Sequence, residues 1–165
     1  MSFKIKRVGH LVLNVKNLEQ SRRFFTEILG FPQVGDNGRG MLFFSTDVVD
    51  NHHMLAIRQA KDGSPMPAPD QIGMEHVSFE VGTFAELQEV YRRFKENNVR
   101  IRHTVFHGVA KSIYFFDPDG NQLEVYCNVP PEEYRKSVPN PYSLYGDIDD
   151  ELEGTIPQKP GTVAP

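Results

Sequence analysis

The chain has 165 residues, 39% of them hydrophobic, with 18 basic against 22 acidic side chains and a net charge of -4. That is one domain's worth of sequence with enough apolar mass for a core, and its slight acidity argues against a nucleic-acid partner. A single cysteine, Cys127, excludes a disulfide framework or a cysteine-rich zinc site. No apolar run is long enough to cross a membrane and none follows the charged N-terminus as in a signal peptide, so a cytoplasmic protein handling small molecules is expected.

In chain order, the first predicted strand is Val8-Gly9-His10-Leu11-Val12-Leu13-Asn14-Val15. Its alternation puts Leu11, Leu13 and Val15 on one face and His10, Val12 and Asn14 on the other. Asn17 then opens a helix with apolar residues at Leu18, Phe25 and Ile28. Strand candidates follow at residues 31–34, 40–45 and 52–58, and a linker over 61–72 holds Pro65, Pro67 and Pro69. The pattern then repeats. Residues 74–81 set Val77, Phe79 and Val81 opposite His76, Ser78 and Glu80. Thr83-Phe84-Ala85-Glu86 reads as a capping box, and Phe84, Leu87, Tyr91 and Phe94 keep helical spacing. Strands are predicted at 99–105, 111–116 and 122–127, the last two joined by the tight turn Asp117-Pro118-Asp119-Gly120.

The repeat implies an α+β chain of two βαβββ modules, about residues 4–60 and 73–128, within one domain over 1–128. Residues 129–165 form a C-terminal extension holding seven of the 12 prolines. Its apolar anchors include Tyr142, Leu144 and Tyr145, so residues 139–145 are expected to dock on the domain or on a partner subunit. The acidic run from Asp147 to Glu153 reads as solvated, and residues 155–165 as mobile.

A lone histidine on the polar side of a strand is ordinarily a surface or hydrogen-bonded residue. His10 and His76 differ, because equivalent positions of repeated modules meet across a pseudo-twofold axis if the modules pack side by side. Glu124 shares a strand face with Gln122 and Tyr126, while Leu123 and Val125 point to the core. A carboxylate among aromatics needs a partner, since burying it unpaired is costly, and a divalent metal supplies one. Two imidazoles and a carboxylate suit Fe(II), with open positions for substrate and dioxygen; Mn(II) accepts the same set. Alternation sends His52 to the face opposite His53 and puts Leu55 on His53's face. His103 reads as solvated, and Cys127, in phase with Val125, as a buried inert thiol.

At these residues the chain resembles the vicinal oxygen chelate superfamily, over about residues 4–128. That superfamily includes glyoxalase I, bleomycin and fosfomycin resistance proteins, methylmalonyl-CoA epimerase and extradiol ring-cleavage dioxygenases. The segment from His107 through a five-residue spacer to Ile113-Tyr114, and on through Asp117-Pro118-Asp119-Gly120 to Glu124, looks like the extradiol dioxygenase signature along its full length. The turn leading to a glutamate is widespread in the superfamily; His107 and Tyr114 single out the dioxygenase branch. Asn51-His52-His53-Met54-Leu55 looks like the strand that carries an acid/base histidine in that branch.

The resemblance implies paired modules forming a cupped, incompletely closed mixed β-barrel with helices outside. It implies an Fe(II)-dependent extradiol dioxygenase that cleaves a catechol with O2. His10, His76 and Glu124 are then the metal ligands, His53 serves proton transfer, and His107 and Tyr114 hydrogen-bond the substrate oxygens. Many related dioxygenases carry four modules, so a homo-oligomer is expected to supply walls that two modules lack. Two other readings stand beside it: a metal-dependent glyoxalase, lyase or thiol transferase of the same fold, and a non-enzymatic binding protein of the bleomycin-resistance type. Residues 52–58 hold no Asp or Glu, where glyoxalase I-like enzymes place a fourth ligand, which counts against the former. The binding protein leaves the three ligands without a purpose.

Overall fold

The computed structural model describes residues 3–68, 71–134, 140, 142 and 145–154. The chain groups into two compact units, residues 1–66 and 67–165.

The first unit contains β1 (Leu11–Val15), α1 (Leu18–Arg23), β2 (Gln33–Asp36), β3 (Met41–Phe44) and β4 (Leu55–Gln59). Asn17 caps α1 by accepting from the Gln20 amide at 3.0 Å, as its sequence position suggests. The helix runs on as a π-helical turn over Phe24–Ile28, closed by Leu29 N donating to the Phe24 carbonyl at 3.1 Å. The wider turn lets two consecutive residues, Phe24 and Phe25, both enter the core. They share the core with Leu13 and Val15 of β1, Leu42 and Phe44 of β3, and Leu55 and Ile57 of β4, all buried. Strand order is β1-β4-β3-β2, with β1 and β4 parallel and the other pairs antiparallel.

The second unit repeats this plan with β5 (Val77–Val81), α2 (Phe84–Glu96), β6 (Ile101–Phe106), β7 (Ala110–Phe116) and β8 (Gln122–Asn128) in the order β5-β8-β7-β6. Thr83 caps α2 by accepting from the Glu86 amide at 3.2 Å. Leu87, Tyr91 and Phe94 of that helix bury against the sheet face that carries Phe115, Leu123 and Val125. At the β7–β8 turn the buried Asp117 carboxylate accepts from the Asp119 and Asn121 amides at 2.9 and 2.8 Å, and Gly120 takes φ 82°. That positive φ suits the glycine of the tight turn. Cys127 is buried, and burial pushes its thiol up, in keeping with an inert side chain. The chain is thus an α+β protein of two βαβββ modules, each with an open four-stranded mixed sheet.

Two short helices follow, α3 (Pro131–Tyr134) and α4 (Asp149–Leu152). Here the acidic run departs from the solvated reading. Ile148 and Leu152 are 2% and 4% exposed, and Lys111 Nζ meets Glu151 Oε2 at 2.5 Å. Two apolar residues one helical turn apart give the acidic segment a buried side that its charges mask in sequence. Of residues 139–145, Tyr142 is exposed and the Tyr145 ring lies 5.8 Å from that of His107; residues 139, 141, 143, 144 and 155–165 lie outside the described residues.

Candidate functional site

In the first unit, β1 and β4 run parallel from the pair Leu11 and Leu55, so the residues just before each strand are neighbours. Leu11 N donates to the Met54 carbonyl at 3.1 Å, and Asn51 Nδ2 to the Gly9 carbonyl at 3.0 Å. The His10 and His53 rings therefore lie 4.4 Å apart, with Phe43 edge-on to His53 at 5.2 Å. Partial burial, reinforced by His10 and His52, holds His53 below the ordinary histidine range.

Two expectations are corrected here. His52 and His53 do not point to opposite faces: both precede β4, and their rings are 4.4 Å apart. Leu55 is not on His53's side but fully buried with Ile57 and Phe44, because alternation begins only at Leu55. The β4 residue directed the other way is Ala56, paired with Val12 and Phe43.

In the second unit, the parallel β5–β8 pairing sets Ser78 beside Glu124, and the antiparallel β7–β8 pairing sets Tyr114 on its other side. Glu124 is 7% exposed. Its carboxylate accepts from the Ser78 hydroxyl, and its Oε2 stands 3.3 Å from His76 Nε2. Tyr114 faces Glu124 across the β7–β8 register, and its hydroxyl lies 3.2 Å from His107 Nε2. Burial first, and then the Glu124 charge, raise the Tyr114 phenol well above its ordinary range, so it stays protonated at neutral pH.

His103 is the third correction. It is half-buried rather than solvated, stacking on Tyr114 at 4.6 Å and 24°. Burial holds it below the ordinary histidine range. Its signal in the sequence is its parity with His107, and the β6–β7 register turns that parity into a place opposite Tyr114. Ser78 carries a similar signal, two residues after His76 on the same strand face.

The structure therefore brings His76, Glu124, Tyr114 and His107 together in one unit, and His10 and His53 in the other. Among the described residues no three His, Cys, Asp or Glu side chains form a ligand group. The His76–Glu124 pair nonetheless fits a divalent cation. Two ligands about 2.1 Å from one ion and at right angles stand about 3 Å apart, close to the 3.3 Å found here. His76 Nδ1 is buried with no hydrogen-bond partner. The register also aligns the modules: Val12 pairs Ala56 two residues after His10, as Ser78 pairs Glu124 two residues after His76. Ala56 thus holds the place in the first module that Glu124 holds in the second.

The model of the Glyoxalase/Bleomycin resistance protein/Dioxygenase superfamily matches residues 7–125. The chain belongs to this superfamily. Among superfamily relatives, biphenyl-2,3-diol 1,2-dioxygenase 3 of Rhodococcus globerulus is 32% identical over 120 residues, 72% of this chain and 62% of that protein. Catechol-2,3-dioxygenase of Bacillus subtilis (strain 168) is 24% identical over 150 residues, 90% of this chain and 50% of that protein. The chain thus spans 62% and 50% of the length of these two relatives. A solved glyoxalase/dioxygenase from Nostoc punctiforme shares the fold with a TM-score of 0.64 at 22% identity, over 76% of this chain and 92% of that one. No helix among the described residues is long and apolar enough to cross a membrane.

Proposed function

We propose that this chain is an extradiol-type dioxygenase that opens the ring of a catechol-type diol with O2 in the cytoplasm. The observation that supports this most is that His107 is hydrogen-bonded to Tyr114, which pairs in register with Glu124. The residues whose pattern resembles the dioxygenase branch thus stand side by side.

In this reading His76 and Glu124, together with His10, hold Fe(II) or Mn(II). When bound, the metal supplies chelation of both diol oxygens and a path for electron density from the ring to dioxygen. The chain's own residues orient the substrate and handle protons. The protonated Tyr114 hydroxyl and the His107 imidazole beside it hydrogen-bond a substrate oxygen, and Ser78 holds the Glu124 carboxylate in place. His53 serves as the acid/base group for the diol proton. The carbon–carbon bond beside the diol breaks, both atoms of O2 are added, and a muconic semialdehyde-type product results. A homo-oligomer supplies further walls to a two-module chain.

Ala56, at the place equivalent to Glu124, counts against a glyoxalase-type site with a fourth carboxylate ligand. The test is anaerobic loading with Fe(II), addition of a catechol panel that includes biphenyl-2,3-diol, and admission of air. A yellow ring-opened product from at least one member is expected. Colourless mixtures throughout, with a hemithioacetal converted instead, would move the assignment to the glyoxalase class.

A further inference from the structure

Beyond β8 the chain returns to the second unit and is fixed there at several points. Ile148 and Leu152 are buried, and the Thr104 hydroxyl donates to Asp149 Oδ1 at 2.7 Å. Gln88 Nε2 donates to the Glu151 carbonyl at 2.8 Å, and Lys111 pairs with the Glu151 carboxylate while also lying over the Phe84 ring. The Lys111 and Glu151 side chains are only 10% and 15% exposed, so this pair is an anchor and not a surface ornament.

Just ahead of that anchor, Gly146 adds to β6, the edge strand of its sheet. Phe106 N donates to the Gly146 carbonyl at 2.7 Å and Gly146 N to the Phe106 carbonyl at 3.2 Å. This two-way bridge fixes the residue before it. Tyr145 stands with its ring at 70° to that of His107, the centroids 5.8 Å apart. His107 follows β6 directly, so the bridge at Phe106 holds Tyr145 and His107 in step.

We propose that this C-terminal strap is a built part of the candidate site, and that Tyr145 is a positioning residue for His107. The imidazole turns broadly about its last side-chain torsion, and its two orientations present different atoms to Tyr114. Tyr145 on one flank and Tyr114 on the other restrict that turning, so that Nε2 faces the Tyr114 hydroxyl. Gly146 does not serve only to cover the edge of β6, since the bridge also delivers a ring to a side chain of the site. The consequence for turnover rests on the dioxygenase reading; the geometric claim about His107 does not.

The experiment uses the full-length chain and the variants Tyr145→Ala and Tyr145→Phe. Tyr145 is half-exposed, so neither variant removes a core residue. In the metal-free protein, NMR reads the His107 ring resonances and the cross-peak between His107 and Tyr114. Tyr145→Ala should shift the His107 resonances and weaken that cross-peak, while Tyr145→Phe, which keeps the ring, should restore both. In the iron-loaded enzyme, Tyr145→Ala should lower kcat about two- to tenfold, the scale of one lost edge-on aromatic pair. KM should change little, and Tyr145→Phe should recover the rate. Unchanged His107 resonances in Tyr145→Ala, or a Phe variant no better than Ala, would overturn the proposal. Shifted and rescued resonances in a protein that turns over no catechol would uphold the strap while removing the dioxygenase reading.

Discussion

His76 Nε2 lies 3.3 Å from Glu124 Oε2, where the parallel strands β5 and β8 begin side by side. The pair places a buried carboxylate and an imidazole at the separation of two neighbouring metal ligands, with Ser78 hydrogen-bonded to the carboxylate and Tyr114 opposite it in register. His76→Ala and Glu124→Ala should each lose iron, measured by elemental analysis after desalting, with the circular dichroism spectrum unchanged. Ser78→Ala leaves the ligands in place and removes a hydrogen bond that orients one of them. It should weaken metal affinity about 10- to 100-fold. Full iron retention in both ligand variants would remove the metal assignment.

His53 is assigned to proton transfer and His10 beside it to the metal, so their variants should separate. His53→Gln should keep its iron and bind catechol without oxygen, yet turn over about 10²- to 10⁴-fold more slowly, the range for a lost acid/base group. Stopped-flow turnover alongside metal analysis reads both. Loss of iron in His53→Gln would make that residue a ligand.

Ala56 offers the sharper test of the fourth-ligand argument. Ala56→Glu puts a carboxylate at the internal equivalent of Glu124. It should retain metal and lose dioxygenase activity, because an open position is then filled. Leu55→Glu, one residue away, would instead bury a charge among Ile57 and Phe44 and unfold the first unit. Thermal melts distinguish the two outcomes.

Much of this was legible in the sequence, and the failures have a common cause. The repeat and both helix caps follow from local pattern, because strand parity and capping chemistry act over a few residues, whereas the pairing of His76 with Glu124 rests on the β5–β8 register. His52, His53 and Leu55 were misplaced because parity holds only inside a strand, and β4 starts at Leu55. His103 required the β6–β7 register, which is tertiary information. The α4 anchor was hidden because Ile148 and Leu152 sit among five acidic residues, and the partners of Glu151 and Asp149, Lys111 and Thr104, are distant in sequence.

His103 also predicts a pH dependence of stability. Burial lowers its folded-state value, whereas in the unfolded chain it titrates near about 6.5. Between those values the unfolded state holds the extra proton, so stability falls as pH drops through about 6.5 and levels off below the folded value. Above about 6.5 the imidazole is neutral in both states and exerts no such penalty. Tm measured from about pH 8 to 5 should therefore fall less steeply in His103→Gln than in the parent protein.

The most direct measurement is oxygen uptake by the iron-loaded protein with a catechol under a Clark electrode, read together with product absorbance. The account predicts stoichiometric consumption of O2 and catechol, a yellow ring-opened product, and neither signal above background in Glu124→Ala. Iron-replete protein that binds the catechol but consumes no more O2 than Glu124→Ala would contradict it.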